Sequence, residues 1–225
     1  MTQRDRCEQC GACCHKGGPA LHREDMPLFA RGVLGPDTVI TLRLGELVHD
    51  QIAGDLLPLP NELLKLKGDA PGWLCPFLEQ DNSCGIYDDR PAECRALACW
   101  DTTGLAAMYG KDRITRRDVI PPASWIWELI DTHDRRCDYA HLSDLAADMG
   151  SDLDGPAAHA FLEAVRYDAA LRELLGERAH IPVRDMDFYL GRPLTRTIIQ
   201  FGLKTGRRGG RDVLLRAPIA ARTND

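Results

Sequence analysis

Cys7-Glu8-Gln9-Cys10-Gly11-Ala12-Cys13-Cys14 is the stretch on which the reading of this chain turns. Thiols packed this closely make a poor core and a good ligand set. A Cys-x-x-Cys turn puts two sulfurs on one side of a tight loop, where both reach one centre. Thiolates are soft donors, so the choice narrows to zinc, iron, iron–sulfur clusters or copper(I). Gly11 lets the backbone bend between the thiols.

Nine cysteines occur in all. Cys75, Cys84, Cys94 and Cys99 form a second group, and Cys137 stands alone as an ordinary buried thiol. Zinc prefers four ligands in a closed tetrahedral site, commonly two Cys-x-x-Cys knuckles. Only the first group has knuckles. Cys7, Cys10 and Cys13 match the spacing of a bacterial ferredoxin run, but Gly17 and Gly18 stand where its next cysteine and proline belong. A fourth ligand must then come from elsewhere, most simply the second group. Neighbouring side chains diverge, so Cys13 and Cys14 are expected to serve different centres, or one of them to be a redox or packing thiol. Eight cysteines suffice for two four-ligand sites or for one cluster with spare thiols, and spacing leaves both open. His15 and His22 are near enough in sequence to join, but are expected at the surface or behind the ligands.

The 225 residues suit one large domain or two small ones, and 44% hydrophobic content is ordinary for a globular chain. A net charge of −6 argues against a nucleic-acid binder. No apolar run approaches the roughly 20 residues of a membrane span. The N-terminus has no apolar secretory stretch. These features predict a cytoplasmic protein without a membrane partner, where clustered thiols serve as ligands rather than disulfides.

The predicted fold is mainly α with little β, around an irregular, metal-stapled, cysteine-rich N-terminal region. Residues 1–105 form the metal-binding domain, 106–203 a helical region packed on it, and 204–225 a basic tail. Breakers such as Gly17-Gly18-Pro19, Pro58-Leu59-Pro60 and Pro71-Gly72 interrupt the first part. Val39–Leu44 reads as a short strand, and 23–32 and 60–66 as short helices. Pro91 opens a helix carrying Cys94, and Cys99 lies about 140° further round a regular helix. Either that helix ends before Cys99, or the two thiols bind at different points. Further helices are read over 124–136, from Pro156 to a stop at Gly176, and from Pro193. The tail holds Lys204, Arg207, Arg208, Arg211, Arg216 and Arg222 against Asp212. It reads as solvated.

These residues resemble the YkgJ-type family, whose members carry Cys-x2-Cys-x2-Cys-Cys and are described as zinc- or iron-chelating. The resemblance rests on Cys7 to Cys14 and on Cys75-Pro76-Phe77-Leu78, Cys84-Gly85-Ile86-Tyr87, Arg90-Pro91-Ala92-Glu93-Cys94-Arg95 and Cys99. It spans about residues 7–100 and implies that the second group ligates too. A similar cysteine domain in the flagellin lysine methylase FliB links the motif to an iron–sulfur centre and methyl transfer. This chain lacks a Gly-x-Gly-x-x-Gly cofactor loop, a phosphate loop, His-Glu-x-x-His and Gly-x-Ser-x-Gly. Arg90 and Arg95 either offset thiolate charge or pair with Asp88, Asp89 or Glu93.

The leading expectation is a metal-binding protein with a [4Fe–4S] centre between the two cysteine groups. Its role would be redox or protein modification, and its partner or substrate a protein. The alternatives are a structural zinc module acting through protein contacts, and an iron–sulfur methylase of the FliB kind. So loop-rich a segment is expected to have little core of its own and to unfold without its metal.

Overall fold

The computed structural model describes residues 7–68 and 73–217. Pro71-Gly72, the extreme N-terminus and Arg222 lie outside them. Along the chain run helix α1 (Met26–Ala30), then strands β1 (Val39–Leu42), β2 (Leu47–Asp50), β3 (Asp55–Pro58) and β4 (Leu63–Leu66). Helices α2 (Ala92–Ala96), α3 (Thr103–Met108), α4 (Arg116–Val119), α5 (Ile126–Arg136), α6 (Tyr139–Met149), α7 (Pro156–Ala179), α8 (Met186–Leu190) and α9 (Leu194–Thr197) follow. Strands β5 (Leu203–Arg208) and β6 (Arg211–Arg216) come last. The chain is mainly α with little β. No helix among the described residues is long and apolar enough to cross a membrane.

Two units interleave along the chain. The first takes in 7–42, 62–124 and 184–191 of the described residues. β1 pairs antiparallel with β4, Val39 opposite Leu66 and Leu42 opposite Leu63. Every residue of β1 is buried, polar Thr41 included, so the strand shows a continuous buried run rather than an alternation. Residues 60–66, expected as a helix, therefore enter a strand: Leu63, Leu64 and Leu66 bury against β1, and pairing overrides leucine's helix preference. The extended chain after the first cysteines joins this ladder. Leu21 N–H donates to Leu64 O at 2.9 Å, Leu66 N–H to Pro19 O at 2.9 Å, and Ile114 N–H to Leu21 O at 3.0 Å. Leu21, Leu64 and Ile114 are fully buried, each contributing about 1.5–3 kcal/mol by area. Buried Arg116 donates to Glu62 through Nε at 3.0 Å and to Tyr189 O at 2.5 Å. This unit thus has a core of its own, contrary to the expectation of a region closed by metal alone.

The second unit takes in 43–61, 125–183 and 192–217 of the described residues. Its β2–β3 hairpin has β3 exposed along its whole length. α7 presents Ala158, Phe161, Leu162, Val165, Leu171 and Leu175 to the interior at helical spacing. It runs on through Gly176 to Ala179 and ends at His180 in the left-handed region (φ 53°). A mid-helix glycine costs only about 1 kcal/mol, and burial of Leu171 and Leu175 outweighs it. α5 begins at Ile126, leaving Trp125 exposed while Trp127 and Ile130 pack inside. Residues 204–216, expected within a solvated tail, instead join Leu203 in the β5–β6 hairpin, with Leu203 and Leu214 buried in the core of this unit.

One acid ties three helices of this unit together. Asp168 of α7 accepts from His133 Nε2 of α5 at 2.9 Å, Arg172 Nε at 2.9 Å and Leu194 N–H of α9 at 2.8 Å. Burial alone would raise its pKa. The bond to His133 and the charge of Arg172 outweigh that, and the carboxyl sits below its usual value. A depressed carboxyl adds stability above the unfolded-chain pKa of about 3.9 and loses it as pH falls through the folded value. Asp168→Asn should therefore cost about 3–5 kcal/mol at neutral pH and flatten the acid limb below about pH 4. Denaturant unfolding at neutral and acid pH, followed by tryptophan fluorescence, reads both effects.

Candidate metal centre

The first cysteine loop is a sequence of tight turns. Gln9 N–H donates to Cys7 Sγ at 3.4 Å, closing the first Cys-x-x-Cys turn. Gly11 has φ +71°, and a Cβ there would lie 3.0 Å from Asn82 Cβ. Glycine is needed here twice over, for the left-handed turn and for the close approach of the second cysteine loop. Cys13 then adopts a helical conformation (φ −71°, ψ −35°) and starts a single 3-10 turn over Cys14–Lys16. Gly18 meets β4 so closely that a Cβ would fall 2.2 Å from Leu66 Cβ.

Cys75 N–H donates to Cys14 O at 2.9 Å, so the two groups meet through the backbone itself. Phe77 N–H bonds the Cys75 sulfur, which repeats the Cys7–Gln9 arrangement one loop later. Leu78 bridges Cys84, and Gly85 N–H donates to Phe77 O at 2.8 Å, folding 77–85 into a small hairpin. Its Asn82 Oδ1 lies 3.4 Å from His15 Nε2.

α2 carries Cys94 in its first turn and ends at Ala96. Cys99 therefore lies off the helix, which resolves the angular conflict seen in the sequence. α2 is anchored from a distance by segment 20–25. Asp25 is fully buried and accepts from Ala92 N–H at 2.8 Å and His22 N–H at 2.9 Å. Burial lifts the Asp25 pKa, and those two N–H bonds pull against it. Glu93 accepts from Ala20 N–H at 2.9 Å and faces His22 Nε2 at 3.1 Å. His22 Nδ1 reaches Lys111 O at 2.7 Å. Both ring nitrogens of His22 thus face oxygen acceptors, and the residue positions α2 rather than facing a metal.

Five of the eight expected ligands, Cys13, Cys14, Cys75, Cys84 and Cys94, lie close enough to act on one another electrostatically. Cys13 Sγ and Cys14 Sγ are 3.9 Å apart, so this pair converges where divergence was expected. Burial, then Cys13, Cys75 and Cys84, push the Cys14 thiol up to about 12. Burial, then Cys75, Cys13, Cys14 and Cys84, raise Cys94 as well. Cys75 rises through burial, Cys84 and Cys13. Cys7, Cys10 and Cys99 are exposed, the first two on the entering loop and the third beyond α2. Cys137 is buried in the other unit and donates to Ala164 O.

Lys65 of β4 is a cation near enough to feel the charge of Glu93, Cys94 and Cys75. Burial lowers its pKa, and Nζ bonds Gly18 O. The sequence signal was a lysine inside the apolar run Leu63-Leu64-Lys65-Leu66, hidden by the helical reading of that segment. The arginines are engaged elsewhere. Arg90 lies over the Tyr87 ring at 3.6 Å, and Arg95 reaches Glu24 at 2.8 Å.

The donor set fits zinc or iron in kind: soft thiols crowded with one another, which a cation would relieve. Two sulfurs 2.3 Å from one tetrahedral ion stand about 3.8 Å apart, which matches the Cys13–Cys14 pair. Among the described residues, no three Cys, His, Asp or Glu groups stand ready to hold one ion together. Binding must therefore draw further thiols in. Asp25→Ala removes the tie between segment 20–25 and α2. It should cost about 1–3 kcal/mol through the orphaned N–H groups and lower bound metal per chain, read by thermal unfolding and elemental analysis. Full metal content in that variant would contradict the positioning role.

No curated protein and no solved structure matches the chain. Residues 6–115 match the family model "CxxCxxCC: Putative zinc- or iron-chelating domain". Both cysteine groups, the Asp25 anchor and Lys65 fall inside that span, and residues 6–115 carry this zinc- or iron-chelating domain.

Proposed function

We propose that the protein holds an iron–sulfur centre, a [4Fe–4S] cluster, between its two cysteine groups and uses it in a redox or protein-modification role in a reducing cytosol. The observation that carries this reading is the number of thiols in the two cysteine groups. Five act on one another electrostatically, and Cys7, Cys10 and Cys99 are exposed close to them in sequence. One closed zinc site needs four. Cys7, Cys10 and Cys13 at ferredoxin spacing, with a fourth thiolate from Cys75, Cys84 or Cys94, would supply the ligands. When bound, such a centre supplies one-electron chemistry. This chain's own part is to hold thiolates from two distant segments, set Lys65 beside them and present the site to a partner or protein substrate.

The second reading is a structural zinc module. The Cys13–Cys14 separation of 3.9 Å supports it, because that distance suits two ligands of a single ion.

Anaerobic purification with iron, zinc and acid-labile sulfide analysis separates the two. The iron–sulfur reading expects iron and sulfide in equal amounts, about four of each per chain. Stoichiometric zinc without sulfide would replace it with the second reading. Cys10→Ser should lose most of the iron, and Cys137→Ser should retain it. Uptake at neutral pH should also release protons, because Cys14, Cys75 and Cys94 start as thiols. Affinity then falls as pH is lowered. Chelation should loosen 7–18 and 73–99 while the β1–β4 core stays protected in hydrogen exchange.

A further inference from the structure

We propose that the outward face of the β5–β6 hairpin docks an acidic, extended segment of a partner protein. The inference is independent of the metal centre, since the hairpin belongs to the second unit. Its register sorts the side chains. Leu203 opposite Arg216, Thr205 opposite Leu214 and Arg207 opposite Asp212 share the inner face. There Leu203 and Leu214 are buried, and Arg207 pairs with Asp212 at 3.2 Å. Arg166 of α7 donates to Asp212 O at 3.0 Å, and Arg216 bonds Gly150 O just beyond α6. The hairpin is thus held firmly from within.

The other face has no such account. It carries Lys204 opposite Leu215, Gly206 opposite Val213, and Arg208 opposite Arg211. Lys204, Arg208 and Arg211 are exposed, and none has an anionic partner among the described residues. Arg208 and Arg211 form a like-charge cross-strand pair, a destabilising arrangement with no compensating acid among the described residues. The hairpin concentrates five basic residues against one acid in a chain of net charge −6. A local choice that opposes folding and runs against the charge of the whole chain marks a surface built for a ligand.

The chemistry of the face selects the occupant. Val213 and Leu215 are half-buried and form an apolar strip between the cations. Side chains on one side of an extended peptide recur about every 7 Å, the same period as this face. Carboxylates alternating with apolar side chains would satisfy the guanidinium groups and cover the strip together. A nucleic-acid backbone would meet only the cations, and the hairpin offers no aromatic ring for a base to stack on.

The test is fluorescence anisotropy with the full-length protein and two labelled probes: a ten-residue peptide alternating Glu and Leu, and a single-stranded oligonucleotide. The peptide should bind. Affinity should fall about tenfold or more in Arg208→Ser/Arg211→Ser, and a few-fold in Val213→Thr. The exposed arginines leave the fold intact, so circular dichroism and metal content should match wild type. Absent peptide binding, unchanged affinity in the double variant, or tighter binding of the oligonucleotide would each overturn the proposal.

Discussion

The Asp25 carboxylate, buried and shared between the N–H groups of His22 and Ala92, is the interaction on which the metal-binding unit depends. It joins chain just beyond the first cysteines to the start of the helix that carries Cys94. Glu93 adds a parallel tie, bonding Ala20 N–H and facing His22. Burying a carboxylate is costly unless hydrogen bonds compensate, and here the compensating donors are backbone groups that have no other partner at a helix start. The arrangement is self-consistent: the acid is satisfied only when both segments are in place. Cys14 and Cys75 then meet through their own backbones at 2.9 Å.

The second unit uses the same device for a different end. Asp168 joins α5, α7 and α9 through His133, Arg172 and Leu194 N–H. In both units one acid on an otherwise apolar surface fixes how neighbouring segments meet, a specificity that leucine and valine packing alone does not give. The difference lies in the partners. Asp168 has Arg172 and the His133 ring beside it and its pKa falls; Asp25 is held chiefly by backbone N–H groups, and burial keeps its pKa raised.

Much of this was legible in the sequence where a short-range rule decided it. The two cysteine groups, the helix opened by Pro91, the strand at Val39 and the long helix from Pro156 rest on spacing, on proline geometry and on periodicity. The failures were places where distant partners decide. Leu63–Leu66 reads equally well as helix or strand until β1 is known to pair with it. Gly176 reads as a stop until Leu171 and Leu175 are seen to be buried around it. The basic tail reads as solvated because Leu203 and Leu214 are too few to signal a hairpin, yet they anchor it. Asp25 and Lys65 were invisible for the same reason, since each acts on residues about 10 to 70 positions away.

The thiols show why a family defined by cysteines needs the rest of this unit. Gathering the thiols raises the cost of ionising Cys14, Cys75 and Cys94, through burial and through their cysteine neighbours. Without a metal those three stay as neutral thiols, and Lys65 offers little relief because burial weakens its own charge. A divalent cation or a cluster reverses the balance, since thiolate repulsion becomes attraction to the centre. The fold therefore has to hold the thiols together before binding, against their tendency to separate once ionised. The apolar ladder of β1, β4, Leu21 and Ile114, with Asp25 and Glu93 clamping α2 to it, provides that restraint from residues that bind no metal themselves.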